Sequence, residues 1–329
     1  MIEARALTKR YGHRTAVDAI DFTVLPGRVT GFLGPNGAGK STTMRMIVGL
    51  DRPTAGSVHV NGRPYHEHRA PLREVGVLVD AKAAHGGRSA YKHLLSIAAT
   101  HGLGATRVRE VIGLAGLDSV AGTRVGGFSL GMGQRLGIAT ALLGDPATVI
   151  LDEPVNGLDP EGVRWVRTLM RGLAAEGRTV LLSSHLMSEM AQTADRLIVI
   201  GRGRILADGP IADIIAGSTR SVTRVRTRDA ERLTATLAGP GVVVAVLPDG
   251  ALEISGLTAE EVALAAAAAG VVLHEVAAVS GSLEEAYIAL TAGEVEYRSA
   301  GATGTGTTGT GGMGTGSTGT TTAGSGARR

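Results

Sequence analysis

Nine consecutive residues, GPNGAGKST from Gly34 to Thr42, hold the densest chemistry in the chain. They fit the spacing G-x-x-x-x-G-K-[ST] and lie between an apolar run, VTGFL, and a helical stretch, TTMRMIVGL. Gly34, Gly37 and Gly39, with Pro35, Asn36 and Ala38 between them, let successive backbone N–H groups turn towards one point, and a helix starting there adds its positive end. Such a nest fits the phosphates of a nucleotide. Lys40 would place a point charge on the β- and γ-phosphates, Ser41 would offer a hydroxyl to Mg²⁺, and Thr42 would complete the cradle.

A second group stands in TVILDEP, from Thr148 to Pro154, where an apolar strand ends in two adjacent carboxylates. Alone, an Asp-Glu pair is an ordinary solvated strand end. Delivered by a strand to the edge of a phosphate cradle, Asp152 is placed to hold hydrated Mg²⁺ and Glu153 to act as general base on an attacking water. The pair His66 and His68, in YHEH between Pro64 and Pro71, has no third ligand nearby and reads as a solvated loop.

These groups need a scaffold, and the pattern of the chain supplies one. Through about residue 217, β-branched runs (29–33, 149–152, 180–183, 197–200) alternate with helical patterns, the signature of an α/β fold with parallel strands. From 218 to 298 the character shifts to a small α+β unit. VTRVRT, GVVVAVLP and VVLHEVA read as strands, TAEEVALAAAAA as a helix, and SLEEAYIALT as a closing helix in which Ser282 and Glu285 are spaced as a capping box. Positions 299–329 hold 11 Gly and 10 Thr with no acid or aromatic, which predicts a disordered tail.

Composition narrows the function classes. The 329 residues are 43% hydrophobic and contain no Cys, so disulfide frameworks, thiolate zinc sites and thiol chemistry are excluded. There are 33 Lys and Arg against 30 Asp and Glu, and two of the basic residues, Arg328 and Arg329, end the tail, so the body is nearly neutral. That disfavours a nucleic-acid partner, which needs basic side chains on one face. MIEARALTKRYG lacks the long apolar run of a signal peptide, and the apolar stretch at 262–273 is too short to cross a bilayer. Any membrane spans must come from a partner.

With these motifs in place, residues 1–215 resemble the ATP-binding cassette (ABC) family, specifically the ATPase subunits of transporters. FSLGMGQRLGIA (128–139) resembles the family's signature segment, VNGLDP (155–160) its subunit-bridging loop with Asp159 as the acid, and LLSSHL (181–186) the strand that ends in its switch histidine, His185. The resemblance implies an ABC-type P-loop fold with a mixed sheet core, an antiparallel β subdomain and a helical signature subdomain, followed by the small α+β domain and the tail. It implies that Tyr11 stacks on adenine and that His185 bonds the γ-phosphate. It also implies that Ser129 and the backbone of Gly131 contact ATP held by a second subunit in a homodimer or paired dimer.

Two positions depart from the family pattern. Leu130 stands where the family usually has glycine, and Asp80 stands in place of a Gln that reaches Mg²⁺ and the membrane partner. Asp80 is either a substitute metal ligand or part of a loop that works mechanically. The strip HGGRSAYKHL (85–94) is the candidate contact with a separate transmembrane permease.

The expected function is therefore Mg²⁺-dependent ATP hydrolysis at the cytoplasmic membrane face, energising that permease. Export of a drug, antibiotic or lipid-like compound is the expected direction, because the C-terminal extension resembles those of resistance exporters from high-GC bacteria. The rival reading is a soluble ABC ATPase of the translation or repair class, which usually carries two cassettes or a long coiled-coil insertion. A P-loop GTPase would need Asn-Lys-x-Asp, and none is present.

Overall fold

The computed structural model describes residues 1–80, 84–218, 222–279 and 281–291. The predicted tail, 299–329, lies outside them, as does Lys82. The centre is a six-stranded sheet in the order β5 (Val75–Leu78), β6 (Thr148–Leu151), β7 (Thr179–Ser184), β3 (Arg28–Leu33), β8 (Arg196–Gly201) and β9 (Arg204–Pro210). The first five are parallel and β9 pairs antiparallel with β8, so the sheet is mixed, as expected.

Side chains on these strands divide between two cores with the period of two that a pleated sheet imposes. Val149, Leu151, Val180, Leu182, Leu197 and Val199 face one core, whereas Ile150, Leu181, Ile198 and Ile200 face the other. Burial on both faces explains why these strands read as continuous apolar runs. One core is closed by α1 (Lys40–Ile47) and a three-stranded antiparallel sheet, β2 (Arg14–Val24), β1 (Ile2–Tyr11) and β4 (Ala55–Val60). The other is closed by helices that include α3 (Ala90–Thr100), α4 (Ala105–Leu114), α5 (Leu130–Leu142) and α6 (Pro160–Ala175). Arg135 of α5 lies 4.5 Å from the Trp165 ring of α6, and the indole N–H donates to the Leu114 carbonyl of α4, so the three helices are tied at one point.

The C-terminal sheet has the order β11 (Val243–Val246), β12 (Leu252–Ser255), β10 (Val222–Thr227) and β13 (Leu273–Val279), all antiparallel. With α9 (Ala230–Leu237) between β10 and β11, and α10 (Ala259–Ala268) between β12 and β13, this is a β-α-β-β-α-β arrangement of ferredoxin-like type. The sequence pattern located β10, β11, β13 and α10 but not β12 or α9.

The closing helix α11 (Leu283–Thr291) corrects one expectation. Its capping box forms as read, with Ser282 Oγ accepting from the Glu285 amide at 3.1 Å and Glu285 Oε2 from the Ser282 amide at 3.0 Å. Yet Leu283 and Ala286 are buried in the core of the first 217 residues, beside α7 (Met187–Thr193), α8 (Ile211–Ser218) and β9, and not in the core of the four-stranded sheet. The apolar stripe of a helix shows that it must be covered. It does not show by which neighbour.

Candidate nucleotide site

The carboxyl ends of β3, β7 and β6 lie side by side, in register Leu33 with Ser184 and Leu151 with Leu182. That edge is where open α/β sheets bind ligands. β3 runs directly into Gly34–Lys40, and the glycines there are sterically required. A Cβ at Gly34 would overlap the Ile200 carbonyl, and one at Gly39, where φ is +110°, would sit 2.7 Å from the Ala16 carbonyl. Gly37 is also left-handed, at φ +82°. Alternating backbone hands of this kind aim consecutive amides into a common hollow.

The hollow is a pocket of about 500 Å³ lined by Tyr11, Arg14, Pro35, Gly37, Ser41 and Glu153 among others, with Asn36, Gly39, Lys40 and Thr42 also in its wall. Ala38 is buried behind it. Lys40 donates to the carbonyls of Gly34 at 2.6 Å and Pro35 at 3.3 Å. Burial pushes its ammonium below the ordinary lysine value, while Glu153 and Asp152 pull in the opposite direction. The Ser41 hydroxyl and the Asp152 carboxylate are hard oxygen donors of the kind Mg²⁺ takes, so the residues present fit that ion.

Glu153 is held unusually firmly. Its φ is +50°, a conformation that non-glycine residues rarely adopt. Its amide donates to Ser183 Oγ at 2.9 Å, and its carbonyl accepts from Gln134 Nε2 at 3.0 Å. The Ser183 hydroxyl in turn donates to Asp152 Oδ1, joining both acids to β7. His185, directly after that strand, brings Nδ1 to 2.8 Å from Glu153 Oε2. Sequence reasoning did not assign Gln134 or Ser183. Gln134 is 4% exposed and Ser183 fully buried, so each must find partners inside the fold, and no local sequence pattern names those partners.

The remaining residues lie elsewhere. Ser129 caps α5, its hydroxyl accepting from the Met132 amide at 3.2 Å, and neither Ser129 nor Gly131 lines the pocket of its own chain. Leu130 is 55% exposed and packs on Gly157, while a Cβ at Gly131 would meet the Gly157 carbonyl at 3.1 Å. Asp159 caps α6 through the Gly162 amide at 2.8 Å. Asp80 follows β5, the edge strand beside β6, where the Leu78 carbonyl accepts from the Asp152 amide at 2.7 Å. It lines a groove of about 540 Å³ with Arg45, His93, Leu136 and Thr140 rather than the phosphate pocket. Burial, with Arg88 nearby, pushes His93 below the ordinary histidine value. His68 pairs with the Val60 carbonyl at 2.9 Å, and no group of three metal-binding side chains exists among the described residues.

The profile of the ABC transporter family matches residues 17–156. The chain is 41% identical over 209 residues to an uncharacterised ABC transporter ATP-binding protein, YhcH, of Bacillus subtilis, with 63% of this chain and 68% of that protein covered. The chain belongs to the ATP-binding subunits of ABC transporters. It is also 41% identical to the bacitracin transport ATP-binding protein BcrA of Bacillus licheniformis, over 64% of this chain and 70% of that one. To the lantibiotic transport ATP-binding protein SrtF of Streptococcus pyogenes it is 36% identical, over 63% and 90%. A solved ATP-binding subunit of an ABC transporter superposes with a TM-score of 0.60 at 27% identity, covering 65% of this chain and 91% of that one. Residues 221–284 match a domain of unknown function, DUF8746. Among the described residues of this ABC subunit, no helix is long and apolar enough to cross a membrane.

Proposed function

We propose that this ABC subunit hydrolyses ATP with Glu153 as general base and drives a separate membrane permease in export. The observation that carries the reading is the joint placement of Lys40, Asp152, Glu153 and His185 at one sheet edge, with the 2.8 Å His185–Glu153 contact at its centre. The glycine nest and Lys40 bind the triphosphate of ATP. Ser41 and Asp152 would hold Mg²⁺, which neutralises charge on the phosphates when bound. Glu153, aimed by His185 and clamped through its own peptide, removes a proton from water as the water oxygen attacks the γ-phosphorus. The bond to the ADP oxygen breaks, and ADP and phosphate leave.

Ser129 and Gly131 do not line the pocket of their own chain, which supports a pocket completed by the α5 tip of a second subunit. ATP binding would close the pair and product release reopen it. The groove beside Asp80 and His93, with the exposed turn at 85–88, is the proposed permease contact. Relatives named for Nod factor export, beside those named for bacitracin and lantibiotic transport, support export as the direction. Residues 218–298 are proposed as an accessory unit fastened to the ATPase by α11.

The test is Glu153→Gln, which keeps size and hydrogen bonding but removes the base. Turnover should fall by roughly 10² to 10⁴, MgATP binding should persist, and an ATP-bound dimer should accumulate. Normal hydrolysis by this variant would refute the assignment of Glu153.

A further inference from the structure

Tyr11 ends β1 at the rim of the pocket and is 48% exposed, a position at which an untethered side chain changes rotamer freely. It is nevertheless tethered at several points. Its hydroxyl donates to Asp51 Oδ2 at 2.9 Å, and Thr42 of the phosphate cradle lies beside the same phenol. One face of the ring is covered by the Lys9 ammonium, 5.0 Å from the centroid and itself anchored on the Arg52 carbonyl at 2.7 Å.

Asp51 is held in its turn. Arg45 Nε donates to the same Oδ2 at 2.9 Å, and the Asp51 amide donates to the Arg45 carbonyl at 3.2 Å. The hydrogen bond from Arg45 keeps the Asp51 carboxyl below the usual aspartate range, so it is an ionised acceptor at neutral pH. Arg45 lies in α1, the helix that begins at Lys40. The same short helix therefore fixes the phosphate cradle at its start and, near its end, the group that tethers the tyrosine.

We infer that Asp51, braced by Arg45, is a positioning residue that holds the Tyr11 ring as a prearranged platform for the base of the nucleotide. The inference rests on the reading of Tyr11 as the base-stacking ring and adds what orients it. A flexible ring must lose rotamer freedom when a base stacks on it, whereas a tethered ring has lost that freedom beforehand. With Lys9 on one face, the opposite face is the one that receives the base. Because Asp51 acts only through the ring, it should matter for ligands that carry a base and be indifferent to those that do not.

The experiment compares binding of MgATP and of magnesium tripolyphosphate, which has phosphates but no base, by calorimetry on the full chain. Asp51→Ala and Tyr11→Phe should each weaken MgATP about 2- to 10-fold and leave tripolyphosphate unchanged. The double variant should lose no more than either single one, since both remove the same bond. Tyr11→Ala should lose about 10-fold or more. If Tyr11→Ala weakens MgATP but Asp51→Ala and Tyr11→Phe do not, the tether is idle and the inference fails while the stacking role stands. If Tyr11→Ala has no effect, the stacking role itself is overturned. Equal loss for tripolyphosphate would make Asp51 a support of the P-loop helix, and additive losses would make the two residues independent. Either result overturns the inference. Tyr11→Phe alters only an exposed hydroxyl, so it decides the matter should Asp51→Ala fail to fold.

Discussion

Gln134 of the signature helix donates from Nε2 to the backbone carbonyl of Glu153 at 3.0 Å, so one chain's α5 grips its own proposed general base. In the proposed dimer the tip of α5 reaches the nucleotide of the other subunit. A shift of the helix at one site would then be felt by Glu153 at the other, through a bond to a residue already held at φ +50°.

Gln134→Leu removes that grip while keeping bulk in a buried position. Turnover should fall on the order of 10²-fold, the scale of a small misplacement of a reacting group, with little change in MgATP affinity. Parallel single-turnover kinetics and calorimetry would show this. A raised KM at unchanged kcat would mean that Gln134 serves binding and not the orientation of Glu153.

The parts of the site that were legible in the sequence are those whose geometry is local. Gly34–Thr42 and Asp152–Glu153 each belong to a strand and the turn that follows it, so spacing alone places them. Gln134, Ser183 and Asp51 act across 19, 30 and 40 residues of chain, and their partners appear only once β6, β7 and β1 are docked. The same limit applies to the fold. A capping box announced α11 and apolar runs announced α10 and β11, whereas β12, the four residues LEIS with Glu253 among them, offers no such run. Asp80 illustrates the remaining case: its place in a groove with Arg45 and His93 depends on a packing that no local pattern encodes.

The depressed Lys40 ammonium makes nucleotide binding pH-linked. Burial lowers its pKa below 10.5, so the folded chain holds that proton less firmly than the unfolded one. As pH rises through the interval between the folded value and 10.5, the fold is therefore favoured by the neutral lysine. Triphosphate at the cradle favours the charged form and raises the value again. MgATP binding should take up protons on the alkaline side, in the interval between the pKa of Lys40 in the empty site and its higher value in the occupied one. Calorimetry in buffers of different ionisation enthalpy measures this uptake. It should vanish in Lys40→Met, and proton release in its place would contradict the assigned direction.

Asp80→Ala separates a metal ligand from a groove residue. Since Asp80 lines the groove with Arg45 and His93 and not the phosphate pocket, the Mg²⁺ concentration for half-maximal turnover should stay where it is in the parent. The effect should fall on the increment of activity that the permease adds. A marked rise in the Mg²⁺ requirement of the isolated subunit would instead make Asp80 a ligand.

The packing of α11 predicts that the C-terminal unit cannot be removed cleanly at residue 217. Leu283 is 4% exposed and Ala286 fully buried in the core that also contains Val199, Met190 and Ile214, so this helix covers apolar surface belonging to the ATPase. Leu283→Ala should cost about 2 to 5 kcal/mol, the range for a buried leucine truncated to alanine. Ile288→Ala, on the exposed face of the same helix at 64%, should cost far less. Denaturant unfolding of both variants, followed by the single tryptophan, Trp165, reads the ATPase core directly because that residue packs against it. If Leu283→Ala left that transition unmoved, α11 would be dispensable to the ATPase core, and its burial there would contribute nothing to holding the accessory unit in place.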